Sequence, residues 1–541
     1  MASLVAVGIA ANFVLTLTPA ATFSAAGASK VAASTAENPL RQYTQQKPQW
    51  QRCGARSPAA FQCATLEVPL DYRDPDGEKL EIEVSRLKAG STKERRGVLL
   101  FNPGGPGGPG LHMPVEVGAD LPEEVRRQYD LIGFDPRGVG RSSPVGCGLT
   151  AEERITDRPY RAGTFAKDVE WARTVAEKCR AEEGDRLRHL TTRNTARDMD
   201  VVRAVLGERK ISYVGYSYGT YLGAVYMQMF PQRADRFVLD SATDPVRYGR
   251  GTLQAMAEGT EPAFTRWSRW TARRHTTYEL GSTPAEVRET FWRLVARADR
   301  KPIDSGDGPL TGDGIRAQRG TFFRVRAAAE WVAGLRTAAE GRGPGQSGTE
   351  PSPSGTGPGP SGAEPGSSGT GLSPSGTPEQ AVPRQPVPPD NADASAWTVL
   401  CADTRTWPHD PERYRRDAIR DKARYPLYGD FASTITPCAF WEPGSEPTTK
   451  VDNGVGSLIV QNEWDPQTPL ASGRAMHRAL RGSRMITVAG GEGHGVYPFG
   501  SCADESTTAY LTTGRLPAED LTCRTREGAR EPAPGGVRAR K

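Results

Sequence analysis

The feature that most constrains this fold is an alternation of short apolar runs with amphipathic segments between residues 65 and 240. Apolar runs rich in β-branched residues predict buried strands, and the helical patterns between them predict crossover helices that cover a parallel sheet. The last four runs end in Gly, Asp or Asn, where parallel strands present a ligand-binding edge. Six strands are predicted, the first two as an antiparallel hairpin: 66–70, 80–87, 97–102, 129–135, 211–215 and 236–240.

The second half of the chain contains a helical part, a low-complexity part and a return to strands. Residues 243–341 show helical patterns rich in Trp and Arg, without a strand signal. Residues 342–391 are almost wholly Gly, Pro, Ser, Thr, Ala and Glu, a composition that cannot bury a core and predicts a disordered linker. Strand signals return at 457–461 and 485–489. An α/β fold follows, with a mostly parallel eight-stranded sheet and a helical lid inserted between strands 6 and 7.

The predicted core is therefore discontinuous in sequence, and its C-terminal part carries the last two strands. The expected boundaries are 1–35 for a signal peptide, 36–242 for the N-terminal part of the core, 243–341 for the lid, 342–391 for the linker, 392–446 for the return of the lid, 447–525 for the C-terminal part of the core and 526–541 for a flexible tail.

The N-terminal segment has the pattern of a signal peptide. Residues 2–29 carry no charge and combine an apolar run at 4–17 with small residues after it. No Lys or Arg precedes the run, which departs from the usual positive start of such a peptide. Asn12, Thr16 and Pro19 leave it short of the ~20 apolar residues of a membrane span, although an anchor is the alternative. We expect a secreted, extracellular protein without a stable membrane span.

The cysteines agree with export. Their spacing contains no C-x-x-C, which argues against a zinc site and against a thioredoxin-type motif. An even number of cysteines in an exported chain predicts disulfides. Eight cysteines allow 105 connectivities, which the sequence does not distinguish, and nearest-neighbour pairing is the simplest of them. That pairing joins Cys53 with Cys63, Cys147 with Cys179, Cys401 with Cys438, and Cys502 with Cys523.

The net charge argues against a nucleic-acid partner. The chain has 69 Lys and Arg against 64 Asp and Glu, a formal net charge of +5. This excess is small for 541 residues, and it is not gathered into a long basic run.

The strongest chemical motif is G-Y-S-Y-G at 215–219. It fits G-x-S-x-G, and it follows a predicted strand and precedes a helix-like run at 220–230, which is the context of a nucleophile elbow. Small residues on both sides leave room for a strained serine whose Oγ points out at the sheet edge. A serine hydroxyl is a weak nucleophile by itself, so Ser217 needs a neighbouring base.

Chain order selects the base and its acidic partner. In a hydrolase of this type the serine is followed by Asp or Glu and then by His. Of the six histidines, His494 alone lies in a Gly-rich loop directly after a predicted strand. Asp465 follows the preceding strand, in a loop that Pro466 and Pro469 restrict, and it can fix the tautomer of His494. Glu463, two residues earlier, is the competing acid.

A glycine-rich loop follows the third predicted strand, with the sequence N-P-G-G-P-G-G-P-G at 102–110. Acyl transfer requires prepositioned donors for the oxyanion, and glycines allow backbone N–H groups to approach a substrate closely. The predicted donors are the N–H groups of Gly105 and Tyr218, with Gly104 as the alternative to Gly105. The prolines do not fit a phosphate-binding loop, so we expect no bound nucleotide. We also expect no metal and no other cofactor.

Five motifs together resemble the secreted tripeptidyl aminopeptidases of filamentous actinobacteria, which share the α/β-hydrolase fold with the prolyl aminopeptidases. The resemblance covers about residues 45–525 except the linker, and C-A-F-W at 438–441 is similar to the start of that family's C-terminal portion. The motifs are N-P-G-G-P-G-G at 102–108, D-P-R-G-V-G-R-S at 135–142, G-Y-S-Y-G-T at 215–220, D-P-Q-T-P at 465–469 and G-H-G at 493–495.

The resemblance implies exopeptidase action on peptide substrates near a free N-terminus, through an acyl-enzyme and without a metal. The residues alone indicate acyl transfer to water, so a secreted esterase or amidase is the alternative. An exopeptidase has to bind the substrate's α-ammonium group, and a carboxylate offsets the cost of desolvating that cation. Asp403, two residues after Cys401, is the first candidate for this role and Glu463 is the second.

Overall fold

The computed structural model describes residues 39–306, 308–341 and 386–524. The predicted signal peptide at 1–35, the greater part of the predicted linker, at 342–385, and the predicted tail at 526–541 lie outside these described residues.

A ten-stranded sheet forms the centre of the molecule, in the order β1-β2-β3-β5-β4-β6-β7-β10-β11-β12. The pairings of β1 with β2, β2 with β3, and β3 with β5 are antiparallel, and all others in this sheet are parallel. Its strands are β1 Gln51–Arg52, β2 Phe61–Pro69, β3 Lys79–Leu87, β4 Gly97–Asn102, β5 Tyr129–Phe134, β6 Ile211–Tyr216, β7 Ala234–Asp240, β10 Ser457–Trp464, β11 Arg484–Glu492 and β12 Leu521–Arg524. A separate two-stranded sheet consists of β8 Ile303–Asp304 and β9 Pro309–Leu310, which lie within the predicted lid, where no strand was predicted.

All eight predicted strands are present, and the sheet has two more than the sequence predicted. The additional strands, β1 and β12, lie at the two edges and contain only two and four residues. Strands this short carry too few residues for a recognisable alternation of apolar and polar side chains.

The helices cover both faces of the sheet and also fill the chain between β7 and β10. The α-helices are α1 Arg41–Thr44, α2 Met113–Glu116, α3 Glu123–Gln128, α4 Phe165–Glu183, α5 Thr192–Val205, α6 Tyr218–Met229, α7 Arg250–Ala272, α8 His275–Tyr278, α9 Pro284–Arg300, α10 Gly312–Ala317, α11 Val325–Ala339, α12 Asn391–Ala402, α13 Pro411–Arg424, α14 Gly429–Ala432, α15 Leu470–Ala479 and α16 Asp504–Thr513. Short 3₁₀ helices occupy Gly184–His189, Pro231–Arg233, Gln318–Phe323 and Pro437–Phe440.

Both faces of the sheet are buried, as expected for parallel strands with crossover helices. Alternate residues of β4 show this directly: Val98 and Leu100 pack into one apolar cluster, whereas Leu99 and Phe101 pack into another on the opposite face. A third cluster belongs to the helices inserted between β7 and β10. Its aromatic centre contains Phe264, Trp267, Phe291 and Phe322.

Helix α12 packs against one face of the central sheet, and hydrogen bonds of Asp390 and Asn391 fix its N-terminal end to loops of the core. Its Trp397 and Cys401 belong to the same apolar cluster as Val98 and Leu100 of β4. Asp390 accepts hydrogen bonds from the N–H groups of Cys147 and Leu149, both at 2.9 Å. The neighbouring Asn391 donates to the carbonyl oxygens of Gly138, at 2.8 Å, and Val145, at 2.7 Å. The chain at 390–402 is therefore part of the packed body.

Four disulfides join the pairs that nearest-neighbour spacing predicted: Cys53–Cys63, Cys147–Cys179, Cys401–Cys438 and Cys502–Cys523. Within the described ranges, no helix has both the length and the apolar character that a membrane span requires.

Candidate active site

Ser217 occupies a sharp turn between β6 and α6. Its backbone has φ 56° and ψ −122°, a conformation that residues other than glycine rarely adopt. The turn also needs glycines beside the serine, because a Cβ on Gly215 would lie 2.5 Å from the carbonyl oxygen of Gly219. A Cβ on Gly219 would lie 2.8 Å from Oδ1 of Asn102. The predicted strand, turn and helix context of the serine is therefore present.

His494 and Asp465 lie in contact at the same edge of the sheet. Nδ1 of His494 is 2.9 Å from both Oδ1 and Oδ2 of Asp465. Asp465 is fully buried, and its Oδ1 also accepts from the N–H groups of Gln467, at 2.8 Å, and Thr468, at 2.9 Å. A carboxylate that accepts from Nδ1–H leaves Nε2 of the imidazole with a lone pair. Nε2 is buried and has no hydrogen-bond partner among the described residues.

The electrostatics of this pair favour an ionised carboxylate and a basic histidine. Burial raises the pKa of Asp465, but His494 and the two backbone N–H groups outweigh it and hold the pKa below its ordinary value. Burial lowers the pKa of the His494 imidazole, but the Asp465 carboxylate outweighs it, so that this pKa is raised.

The glycine-rich loop after β4 lies directly against the serine turn. A Cβ on Gly104 would be 2.4 Å from the carbonyl oxygen of Tyr216 and 3.1 Å from the backbone nitrogen of Tyr218. The N–H of Gly104 already donates to Oδ1 of Asn102 at 3.0 Å. The N–H of Gly105 has no acceptor within the described part of the chain. Tyr218 is the first residue of α6, where an amide has no acceptor in the preceding turn. Of the two glycine alternatives, this geometry favours Gly105.

Asp403, the first candidate for binding the substrate amine, is buried against the N-terminus of α5. Its exposed fraction is 8%. Its Oδ1 accepts from the N–H of Thr192 at 2.7 Å, and its Oδ2 accepts from the Thr192 hydroxyl. Each carboxylate oxygen therefore holds the N-terminus of α5, and the burial of the side chain restricts the access of an ammonium group. Burial raises the pKa of Asp403 to about 7, so this carboxyl group ionises at a higher pH than an exposed one.

Glu463, the second candidate, is half-buried near the end of β10. Its Oε2 accepts from the N–H of Gly490 at 2.7 Å. This bond joins the end of β10 to β11 and uses one of the two carboxylate oxygens. Glu463 lies two residues before Asp465.

Arginines of the inserted helices contact the loops that carry Asp465 and His494. The sequence did not predict these contacts. Nη1 of Arg319 donates to the carbonyl oxygen of Pro466 at 2.6 Å. Arg266 of α7 forms an ion pair with Glu492, two residues before His494. These contacts join residues far apart in sequence, so no local pattern could have indicated them.

A cavity of about 530 Å³ opens at the opposite edge of the sheet, where β6, β7 and β10 begin, and it contains no residue of the triad. Arg236 in its wall donates to the carbonyl oxygen of Leu511, close to the C-terminus of α16. A guanidinium in that position is explained by the partial negative charge of the helix end.

Comparisons with known proteins give the family. Residues 97–297 match a family model described as alpha/beta hydrolase fold, and residues 425–523 match one described as TAP-like protein. The chain is 34% identical over 492 residues to the tripeptidyl aminopeptidase of Streptomyces lividans, with 88% of this chain and 86% of that protein covered. The chain belongs to the tripeptidyl aminopeptidase family. This confirms the resemblance that the five motifs indicated, and with it the α/β-hydrolase fold.

Other members of this group of relatives have different names. Serine protease Hip1 of Mycobacterium tuberculosis is 30% identical over 505 residues, with 88% of this chain and 91% of that protein covered. A protein of the same organism named carboxylesterase B is 30% identical over 479 residues, with 85% and 86% covered. Ser217 lies in the segment that matches the alpha/beta hydrolase fold model, at 97–297. Asp465 and His494 lie in the segment that matches the TAP-like protein model, at 425–523.

Proposed function

We propose that this protein is a secreted serine exopeptidase that cleaves peptides near a free N-terminus. The observation that carries the proposal is the contact of His494 with Asp465, 2.9 Å long, at the sheet edge where Ser217 occupies its strained turn. The name of the Streptomyces relative and the coverage of both chains support the peptide substrate class.

In the proposed reaction, Oγ of Ser217 attacks the scissile carbonyl carbon while Nε2 of His494 takes its proton. Asp465 stabilises the imidazolium that forms, and its contact with Nδ1 holds the ring in the required tautomer. The tetrahedral intermediate collapses when His494 returns the proton to the leaving amine, and the first product departs. Water then attacks the acyl-enzyme with His494 again as base, which releases the peptide acid and regenerates Ser217.

The negative oxygen of each tetrahedral intermediate requires two donors, and we assign these to the N–H groups of Gly105 and Tyr218. Support comes from the proximity of the loop after β4 to the serine turn, where Gly104 faces the backbone of Tyr216 and Tyr218. Donors fixed by backbone geometry need no reorganisation when charge develops on the substrate.

Binding of the substrate's ammonium group is assigned to Glu463, because it is more exposed than Asp403, whose buried carboxylate already accepts from Thr192. Glu463 is half-buried; its Oε2 accepts from the N–H of Gly490, and its Oε1 has no hydrogen-bond partner among the described residues. Extracellular export is supported by the four disulfides, which persist in oxidising compartments.

The first experiment identifies the nucleophile. Wild type should react with a fluorophosphonate, and mass spectrometry should find the adduct on Ser217. Ser217→Ala should not be labelled. Ser212→Ala, at a buried serine of β6, the strand that precedes Ser217, is the matched control and should retain labelling. An adduct on another serine would overturn the assignment.

The second experiment separates exopeptidase from esterase or amidase, the alternative that the carboxylesterase relative favours. A free tripeptide anilide is compared with its N-acetylated form. Acetylation should lower kcat/KM of wild type at least about tenfold, equivalent to about 1.4 kcal/mol, and should lower that of Glu463→Gln much less. Equal hydrolysis of the two substrates by wild type would move the esterase or amidase to first place.

A further inference from the structure

The end of β7 contributes no residue to the triad, yet it bonds to all three loops that do. The carbonyl oxygen of Asp240 accepts from the N–H of Ser217 at 3.0 Å. The hydroxyl of the next residue, Ser241, accepts from the N–H of Gly495 at 2.9 Å. The carbonyl oxygen of Ser241 accepts from the hydroxyl of Thr468, in the loop of the acid, at 2.9 Å. Two consecutive residues thus connect the nucleophile, the acid and the base.

The Asp240 side chain is directed at the histidine loop. Its Oδ2 accepts from the N–H groups of Val496, at 2.9 Å, and Tyr497, at 2.7 Å, two and three residues after His494. Its Oδ1 accepts from the hydroxyl of Ser241 at 3.0 Å. Asp240 is fully buried, and a buried carboxylate needs compensation for its lost hydration. Here that compensation comes mostly from backbone N–H groups of the loop that carries the base.

Ser241 shows that this junction is conformationally demanding. Its φ is 58°, in the left-handed region that residues other than glycine seldom occupy. Such a conformation persists only where the surroundings hold it, and here its N–H, its hydroxyl and its carbonyl oxygen are all bonded.

We propose that Asp240 is a positioning residue for the triad: its carboxylate anchors the loop of His494 to the strand that also holds the nucleophile turn, and its negative charge supports the imidazolium. The inference rests on the proposed function only in taking His494 as the base. Charged and titratable groups around the two residues are Asp465, which contacts the ring, Tyr216 and Tyr497 beside Asp240, Arg324 beside Gly493, and the ion pair of Arg266 with Glu492.

Two substitutions separate the charge from the anchor. In Asp240→Asn, the amide oxygen can still accept from Val496 and Tyr497 while the amide nitrogen donates to Ser241, so chiefly the charge is removed. In Asp240→Ala, the two loop N–H groups lose their acceptor. Asp235→Asn is the control, because Asp235 lies at the other end of β7 and pairs with Arg96 at 2.7 Å.

The first measurement is an NMR titration of His494 in ¹³C-histidine-labelled protein, with His494→Ala for assignment. Burial raises the pKa of Asp240 to about 7, and ionisation of Asp240 beside the histidine loop should appear as a second step in the wild-type titration curve of His494. Asp240→Asn should leave one step and lower the measured pKa of His494 by about 0.5 to 1 pH unit. Asp235→Asn should match wild type. An unchanged titration in Asp240→Asn would overturn the electrostatic role.

The second measurement is hydrolysis of the tripeptide anilide. Asp240→Ala should lower kcat about 10- to 100-fold with KM within about threefold, because a displaced base affects the reaction more than ground-state binding. Asp240→Asn, which keeps the anchor but loses the charge, should lower kcat about 3- to 10-fold, in proportion to the expected shift in the pKa of His494. A kcat of Asp240→Ala equal to wild type would overturn the anchoring role. If the alanine variant does not fold, the proposal is tested by the His494 titration and the kcat of Asp240→Asn, and wild-type values of both would overturn it.

The NMR titration needs no peptide substrate, so the two proposals can fail separately. A shifted His494 titration in a protein that hydrolyses no peptide would refute the exopeptidase and retain the positioning role. Peptide hydrolysis by the wild type, with an unshifted His494 titration and full activity of both Asp240 variants, would refute the positioning role and retain the exopeptidase.

Discussion

Replacing Gly104 with alanine tests how closely the glycine-rich loop must approach the nucleophile. The added Cβ would lie 2.4 Å from the carbonyl oxygen of Tyr216 and 3.0 Å from Cβ of Ser217. Favourable contacts between such atoms begin near 3.5 Å, so the loop would have to withdraw by about 1 Å. Neither neighbour can rotate away, because one is backbone and the other is fixed in the strained turn. We therefore expect Gly104→Ala to separate the oxyanion donors from Ser217.

The magnitude has a catalytic and a structural part. A displacement of about 1 Å at the reacting groups, or the loss of one oxyanion donor, lowers kcat roughly 10²- to 10³-fold. The positive φ of Gly104, +93°, adds about 1 to 2 kcal/mol of backbone strain for alanine. Overpacking of the loop adds about 1 to 3 kcal/mol of lost stability.

Gly207→Ala is the matched control for the backbone strain. Gly207 also has a positive φ, +75°, but apart from its two chain neighbours no described residue has an atom within 4 Å of the position its Cβ would take. Both variants should therefore lose stability in thermal unfolding, whereas only Gly104→Ala should lose kcat with the tripeptide anilide. Wild-type kcat in Gly104→Ala, or an equal loss of kcat in Gly207→Ala, would refute this reasoning.

Three further outcomes are expected. Ser217→Ala and His494→Ala should each lower kcat roughly 10⁴- to 10⁶-fold, whereas His477→Ala should not, since His477 pairs with Asp520 at 3.0 Å; steady-state kinetics of the three variants checks this. Because the pKa of His494 is raised, kcat/KM should fall as pH decreases through that pKa, and a profile flat down to pH ~5 would exclude His494 as the base. Asp403 has a folded-state pKa of about 7, above its unfolded value, so between about pH 4 and 7 the folded state keeps a proton that the unfolded state has lost. The free energy of unfolding should therefore fall by at most about 4 kcal/mol as pH rises from about 4 to 7. Denaturant unfolding should show a smaller fall in Asp403→Asn.

Local sequence pattern determined the strands, the order of the site residues and the position of the insertion. Hydrophobic runs identify parallel strands because both faces of such a sheet are buried, as Leu99 and Leu100 show. Once the strands are known, their C-terminal ends must meet at one edge, and this brings Asp465 to His494 across 29 residues of sequence. The motif around Ser217 was equally readable, since its glycines are required within the same turn.

The environment of single acidic residues was decided only by the tertiary structure. Asp403 was a candidate for amine binding by its proximity to Cys401, but its partner Thr192 lies 211 positions away in sequence. Asp240 had the pattern of an ordinary strand end, and the backbone groups it holds lie 256 and 257 positions further along the chain. A local pattern reports the period and polarity of neighbouring residues, whereas the pKa and role of a buried carboxylate depend on which distant donors pack around it.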